Sequence, residues 1–172
     1  PIYPFLTRVL YFKEEMMSRL PMIIASVAVV ATAGIAIAGS HGGNPAVKAR
    51  QAHMSLYAFN MATLGGMAKG EIEYNADAAK AAAGNMAALS TLAQGAYWVP
   101  GTSTAELGEE TRALPKIWEA GSTAGEIGGR MAEAAQQLAA VAGDGKDAMA
   151  GALGGVGKEC SACHKGYRQP QE

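Results

Sequence analysis

The chain has 172 residues, a net charge of −1 and 17 % charged residues. That length allows one domain plus an extra segment, and the charge balance shows no basic footprint for nucleic acid. The two cysteines lie in a single short motif, which excludes a disulfide framework, and few aromatics among abundant Ala and Gly suit thin, closely packed helices.

The chain opens on Pro1, and Met16 and Met17 are candidate starts, so residues 1–16 read as an upstream segment outside the mature sequence. From Met17 a basic Arg19 precedes an apolar run, Pro21 to Ala38, that closes on Ala36-Ile37-Ala38. A positive start, an apolar stretch and small residues at an Ala-x-Ala site describe a secretory signal peptide over 17–38. The same run is just long enough to span a bilayer, so an uncleaved membrane anchor is the alternative. Either reading exports the rest of the chain to the periplasm.

Residues 44–170 punctuate into four helical runs. Asn44-Pro45 is a cap followed by Pro at the first helical position, and the run reaches Lys69 before Gly70. Asn75 caps a second run from Ala76 to about Gln94. An irregular stretch, Gly95 to Pro115, follows. A third run spans Lys116 to about Ala142, and a fourth covers Lys146 to about Arg168. Val47, Met54, Met61 and Ala68 recur every seven residues, with Arg50, Tyr57 and Leu64 three positions after the first three. In the third run Ile117, Ala124, Met131 and Leu138 repeat likewise, beside Ala120, Ile127, Ala134 and Val141. Such spacing in helices predicts an all-α, antiparallel four-helix bundle with a cofactor built into its core. On this register Met54 sits on the core seam and His53, about 100° round the helix, is a surface residue. Gly151, Gly154, Gly155 and Gly157 weaken the fourth run by about 1 kcal/mol each against Ala. Either the backbone approaches a flat ligand there, or that half of the helix is frayed.

The fourth run carries Cys160-Ser161-Ala162-Cys163-His164, a Cys-x-x-Cys-His motif. It is the attachment signature of c-type haem: two thiols add across the two vinyl groups of one porphyrin, and the adjacent imidazole turns onto the iron. A redox dithiol would want a strand–helix context. A zinc site would want a fourth ligand, for which only His41 and His53 remain. One covalent haem c is expected, and its attachment outside the cytoplasm agrees with the export segment. No acid–base or nucleophile constellation suggests an enzyme.

With its haem motif near the C-terminus of a four-helix bundle, the chain resembles the cytochrome c′ family, including its low-spin cytochrome c-556 branch. The resemblance covers residues 44–170 and rests on Val47 to Met54, Asn60 to Glu71, Pro100 to Ser103, Pro115 to Trp118 and Val156 to Arg168. The Asn60-to-Glu71 stretch looks more like the c-556 branch. The resemblance implies thioethers at Cys160 and Cys163 and a proximal iron ligand at His164. It implies a distal residue at Met54, four positions after Arg50; low-spin members ligate iron there, whereas high-spin members only block it. Arg50 and Gln51 match positions near the haem propionates, Thr102 lies in the loop that wraps the haem edge, and Arg168 lies beside the proximal imidazole. The function implied is one-electron transfer through His164 and Met54. The alternatives are a five-coordinate protein that binds or scavenges NO or CO, and a membrane-anchored subunit of a larger electron-transfer complex. Redox partner proteins are implied, with Lys158, Lys165 and Arg168 as a docking rim for an acidic one. A homodimer through the first two helices is also implied.

Overall fold

The computed structural model describes residues 42–170. The export segment at 17–38, the upstream residues 1–16 and His41 lie outside them. Four long helices carry the fold: α1, Pro45–Lys69; α2, Ala76–Ser90; α3, Ala124–Val141; and α4, Lys146–Tyr167. Among the described residues no strand forms, and only an isolated antiparallel bridge joins Ala113 to Arg168. α1 packs on α2 and α4, and α3 on α2 and α4, so the helices close a ring. The short connections after α1 and α3 make antiparallel neighbours, as expected of a bundle.

The termini of α1 follow the sequence signals. The Asn44 side chain accepts from the backbone N–H groups of Ala46 and Val47 at 2.9 and 3.4 Å, satisfying donors that the helix start leaves open. Gly70 ends the helix in the left-handed region at φ +80°, which costs glycine little. α2 stops four residues earlier than expected. The hydroxyls of Ser90 and Thr91 take the Ala87 and Ala88 carbonyls at 2.7 and 2.9 Å, and side chains that capture backbone carbonyls compete with further helix.

The larger departure is α3, which begins at Ala124 rather than Lys116. Pro115–Ile117 is a separate 3-10 turn, and Gly121 at φ +82° breaks the path. The Trp118 indole donates to the Trp98 carbonyl at 2.9 Å, which holds this segment against the α2–α3 connection instead. Thus Ile117 and Ala120 do not belong to the helical seam. α4 is continuous. Gly151, Gly154 and Gly155 are exposed, and a Cβ on Gly151 or Gly154 would meet nothing within 4 Å. That half of the helix is held by Met149, Leu153 and Val156, all buried on its other side.

The core joins Tyr57, Leu64 and Met67 of α1, Ala79, Ala83 and Met86 of α2, Ala135 and Leu138 of α3, and Met149, Leu153 and Val156 of α4. Alanines on α2 permit the thin packing that the composition suggests. At one end the Tyr74 hydroxyl donates to the Ala142 carbonyl at 2.9 Å and accepts from the Gly145 N–H at 3.1 Å, tying the two short connections together.

On α1 the expected Arg50, Tyr57 and Leu64 are buried, as is Val47, and Met61 and Ala68 pack partly buried against the core. His53, Asn60 and Met67 form a further buried row beside them. His53, expected on the surface, is only 5 % exposed, while Met54 is 36 % exposed. The polar His53 and Asn60 are buried because each gains partners inside. Asn60 Nδ2 donates to the Leu56 carbonyl at 2.8 Å, while its Oδ1 accepts from Asn85 of α2 at 3.1 Å. His53 stacks on Tyr57 with ring centroids 4.9 Å apart.

Candidate haem site

α4 supplies the attachment residues. Cys160 and Cys163 are three apart and Cys160 and His164 four apart, so they share one helix side. Both thiols are unpaired and half-buried. Burial pushes both thiols up in pKa, with neighbouring charge adding to the effect. They are therefore protonated at neutral pH, unlike the activated thiolate of a redox dithiol. Among the described residues no group of three or more His, Cys, Asp or Glu gathers to hold a metal ion, so a zinc site finds no ligand set. His164 is also half-buried. Burial first, then the charges of Arg168 and Arg112, lower its pKa, which keeps a lone pair available on the imidazole. His164 and Arg168 line one surface hollow of about 450 Å³ with Ser161, Lys165, Gln169 and Pro170.

The remaining predicted residues gather where α1 meets the long α2–α3 connection. Arg50 is only 4 % exposed, and no carboxylate is among its partners. One terminal nitrogen donates to the Tyr97 carbonyl at 3.0 Å and to Thr102 Oγ1 at 3.2 Å. The other donates to the Thr102 carbonyl at 3.1 Å and to Thr111 Oγ1 at 2.8 Å. The guanidinium lies 4.8 Å from the Trp98 ring centre and 6.0 Å from that of Trp118, within reach of cation–π attraction. Burial lowers its pKa, but an arginine stays charged. Thr102 is buried and donates to the Val99 carbonyl at 2.7 Å. Gln51 is exposed and donates to the Glu110 carbonyl at 3.0 Å. Arg50, Gln51 and Thr102 thus fasten the crossover loop to α1. Met54 lies on the open side of the same helix.

Sequence reasoning missed Trp98, Trp118 and Thr111 as partners of Arg50, because they come from an irregular stretch with no periodicity to read. It also missed the buried His53, whose i, i+4 spacing to Tyr57 was the available signal. Tyr57 links the two halves of the site: burial and the neighbouring Cys160 push its phenol up to about 12. His53 packs between Tyr57 and Tyr97, and its Nε2 is buried with no hydrogen-bond partner. Protonated thiols and a neutral imidazole beside them on one helix side fit a covalently held haem. Cys160 and Cys163 would anchor it and His164 would ligate its iron; the group supplies one-electron and gas-ligand chemistry.

Comparison with known proteins agrees. The cytochrome c′ family model matches residues 45–168. A cytochrome c-554 from Cereibacter sphaeroides is 36 % identical over 123 residues, covering 72 % of this chain and 92 % of that one. A solved cytochrome c′ from Rhodobacter sphaeroides superposes with a TM-score of 0.70 at 35 % identity, over 73 % of this chain and 96 % of the other. A solved nitric oxide complex of a cytochrome c′ variant from Alcaligenes xylosoxidans gives 0.62 at 32 % identity, over 73 % and 94 %. The chain therefore belongs to the cytochrome c′ family, whose members carry one covalently bound c-type haem and work in electron transfer or gas binding rather than as enzymes.

Proposed function

We propose that the protein is a periplasmic cytochrome whose ferrous haem iron takes up NO or CO, with His164 as its proximal ligand. The observation that carries this reading is the family membership: the cytochrome c′ model matches residues 45–168, and several of the similar proteins are cytochromes c′. Met54 then acts as a lid rather than a ligand. The similarity to a cytochrome c′ solved as a nitric oxide complex supports the same ligand class.

Cys160 and Cys163 hold the haem in place, and His164 stays neutral to donate its lone pair. Arg50 contributes charge: its four terminal N–H groups are bound to protein oxygens, so a propionate would meet its field and its Nε–H. Thr102 and Gln51 keep the crossover loop closed over that charge. Arg168 and Lys165 make the hollow around His164 basic.

That basic rim favours a second reading, a low-spin one-electron carrier of the c-556 kind with Met54 on the iron. Cations around the proximal edge would steer an acidic redox partner. Export rests on Arg19, the apolar run and the Ala-x-Ala site. Among the described residues no helix is long and apolar enough to cross a membrane. Leu56 and Phe59, 51 % and 71 % exposed on α1, support a homodimer face.

The optical spectrum of the reduced protein separates the two readings. Gas binding predicts a reduced spectrum without thioether ligation, ready uptake of CO, and the same spectrum in Met54→Leu, which keeps bulk but removes sulfur. A low-spin reduced spectrum that Met54→Leu abolishes makes Met54 a ligand and the protein an electron carrier.

A further inference from the structure

We propose that Tyr167 is a positioning residue for the proximal ligand. Its hydroxyl latches the last turn of α4, which carries His164, to the start of α3, and this latch limits how far His164 shifts when a gas binds. The inference rests on the gas-binding reading and adds what restrains its proximal side.

Three observations carry the assignment. The first is position. Tyr167 closes α4 three residues after His164, so the two side chains are neighbours on the helix surface. The Arg168 N–H donates to the His164 carbonyl at 3.2 Å and completes that turn. The second is the hydroxyl. It accepts from the Thr123 N–H at 2.8 Å and lies 3.1 Å from Thr123 Oγ1. Thr123 is the cap residue of α3, and its own side chain caps nothing. A donor that the start of α3 leaves open is thus met by a side chain of α4. The partners are 44 residues apart, so the bond ties two elements together rather than closing a local turn. The third is the main chain on the other side of the same turn. The Tyr167 carbonyl accepts from the Leu114 N–H at 3.0 Å, and the Gln169 N–H donates to the Arg112 carbonyl at 2.8 Å. These bonds flank the bridge between Ala113 and Arg168. The turn that carries His164 is therefore tied to the crossover loop through its backbone and to α3 through one hydroxyl. Of the two ties, a substitution can remove the hydroxyl without altering the backbone.

The consequence is a stiffness. In the resting protein the turn sits at its energy minimum, and any shift of His164 strains the ties. When a sixth ligand is taken up, the imidazole must follow the iron toward the porphyrin plane. Removing one tie lowers the cost of that shift and leaves the resting position nearly unchanged. Gas affinity should therefore rise in its absence. The bond to Thr123 is exposed to solvent, and the net worth of a single hydrogen bond limits the gain to about ten-fold.

The test uses the holoprotein and Tyr167→Phe, which keeps the ring and removes the hydroxyl. In the reduced variant the iron–histidine stretching band of the resonance Raman spectrum is expected to broaden, because the imidazole samples a wider range of positions. CO affinity is expected to rise by about two- to ten-fold. Thr123→Val removes one of the two partners, so it should act in the same direction and more weakly, and it should add nothing in the Tyr167→Phe background. An unchanged band and CO affinity in Tyr167→Phe, with only a lower thermal midpoint, reduces the bond to a structural tie and overturns the proposal while leaving gas binding standing. A reduced wild type that lacks the band, and gains it in Met54→Leu, overturns both. Should Tyr167→Phe yield no haem-bearing protein, the band and CO affinity of Thr123→Val decide alone.

Discussion

Arg50 shows how a single residue can hold structure and tune a cofactor together. A buried cation without a carboxylate is costly unless every donor is met. Here neutral oxygens of Tyr97, Thr102 and Thr111 meet its four terminal N–H groups, so no carboxylate compensates the positive charge, which on our reading lies near the haem. A positive charge opposes the more positive, oxidised haem. Arg50→Ala removes that repulsion, so the reduction potential should fall in a potentiometric titration. The same variant should become more sensitive to proteolysis between Tyr97 and Thr102, since the loop loses its clamp. An unchanged potential with an intact loop would show that the charge does not reach the haem. The lysine variant should not restore the loop, because an ammonium lacks the planar fork that spans several acceptors.

The attachment residues give a chemical outcome at the same scale. Each thiol accounts for one thioether. Cys160→Ala or Cys163→Ala should therefore lower the yield of haem-bearing protein sharply on a haem-stained denaturing gel, while wild type keeps its haem through denaturation and acid–acetone extraction. Haem extracted from wild type would contradict covalent attachment. In these positions residue identity and spacing alone were enough for recognition, because the chemistry is set by covalent reach along one helix.

At the scale of elements, helix ends were legible where backbone and side-chain capping act locally. Asn44, Pro45 and Gly70 mark α1 as expected. The start of α3 was not legible, since Trp118 is drawn off by a bond to Trp98, twenty residues away. Glycines in α4 illustrate the difference between local propensity and packing. Gly151 is exposed, helical and nine residues from Cys160, which places it on the opposite side of the helix. A Cβ there meets no atom within 4 Å. Gly151→Ala should stabilise the fold by about 1 kcal/mol through helix propensity and lost unfolded-state freedom, read as a higher thermal midpoint with an unaltered haem spectrum. A destabilised variant would mean that this face of α4 is covered in solution.

For the whole molecule, the exposed stripe of α1 gives a test of assembly. Phe59 and Leu56 leave an apolar strip that a second copy would cover. Phe59→Glu should shift sedimentation toward the monomer without changing the haem spectrum; a wild type that is monomeric at high concentration would assign the strip no such role.

The sequence by itself determined the covalent haem, the helical class, the bundle and the family, because each depends on residue type at short, regular spacing. The Cys-x-x-Cys-His run needs only one helix to work, and helical periodicity is a property of consecutive residues. Tertiary structure alone decided the burial of His53, the late start of α3 and the partners of Arg50. Each of these turns on contacts between residues distant in the chain. His53 was expected at the surface and is buried, because Tyr57 of the same helix and Tyr97 of the crossover loop pack on its ring.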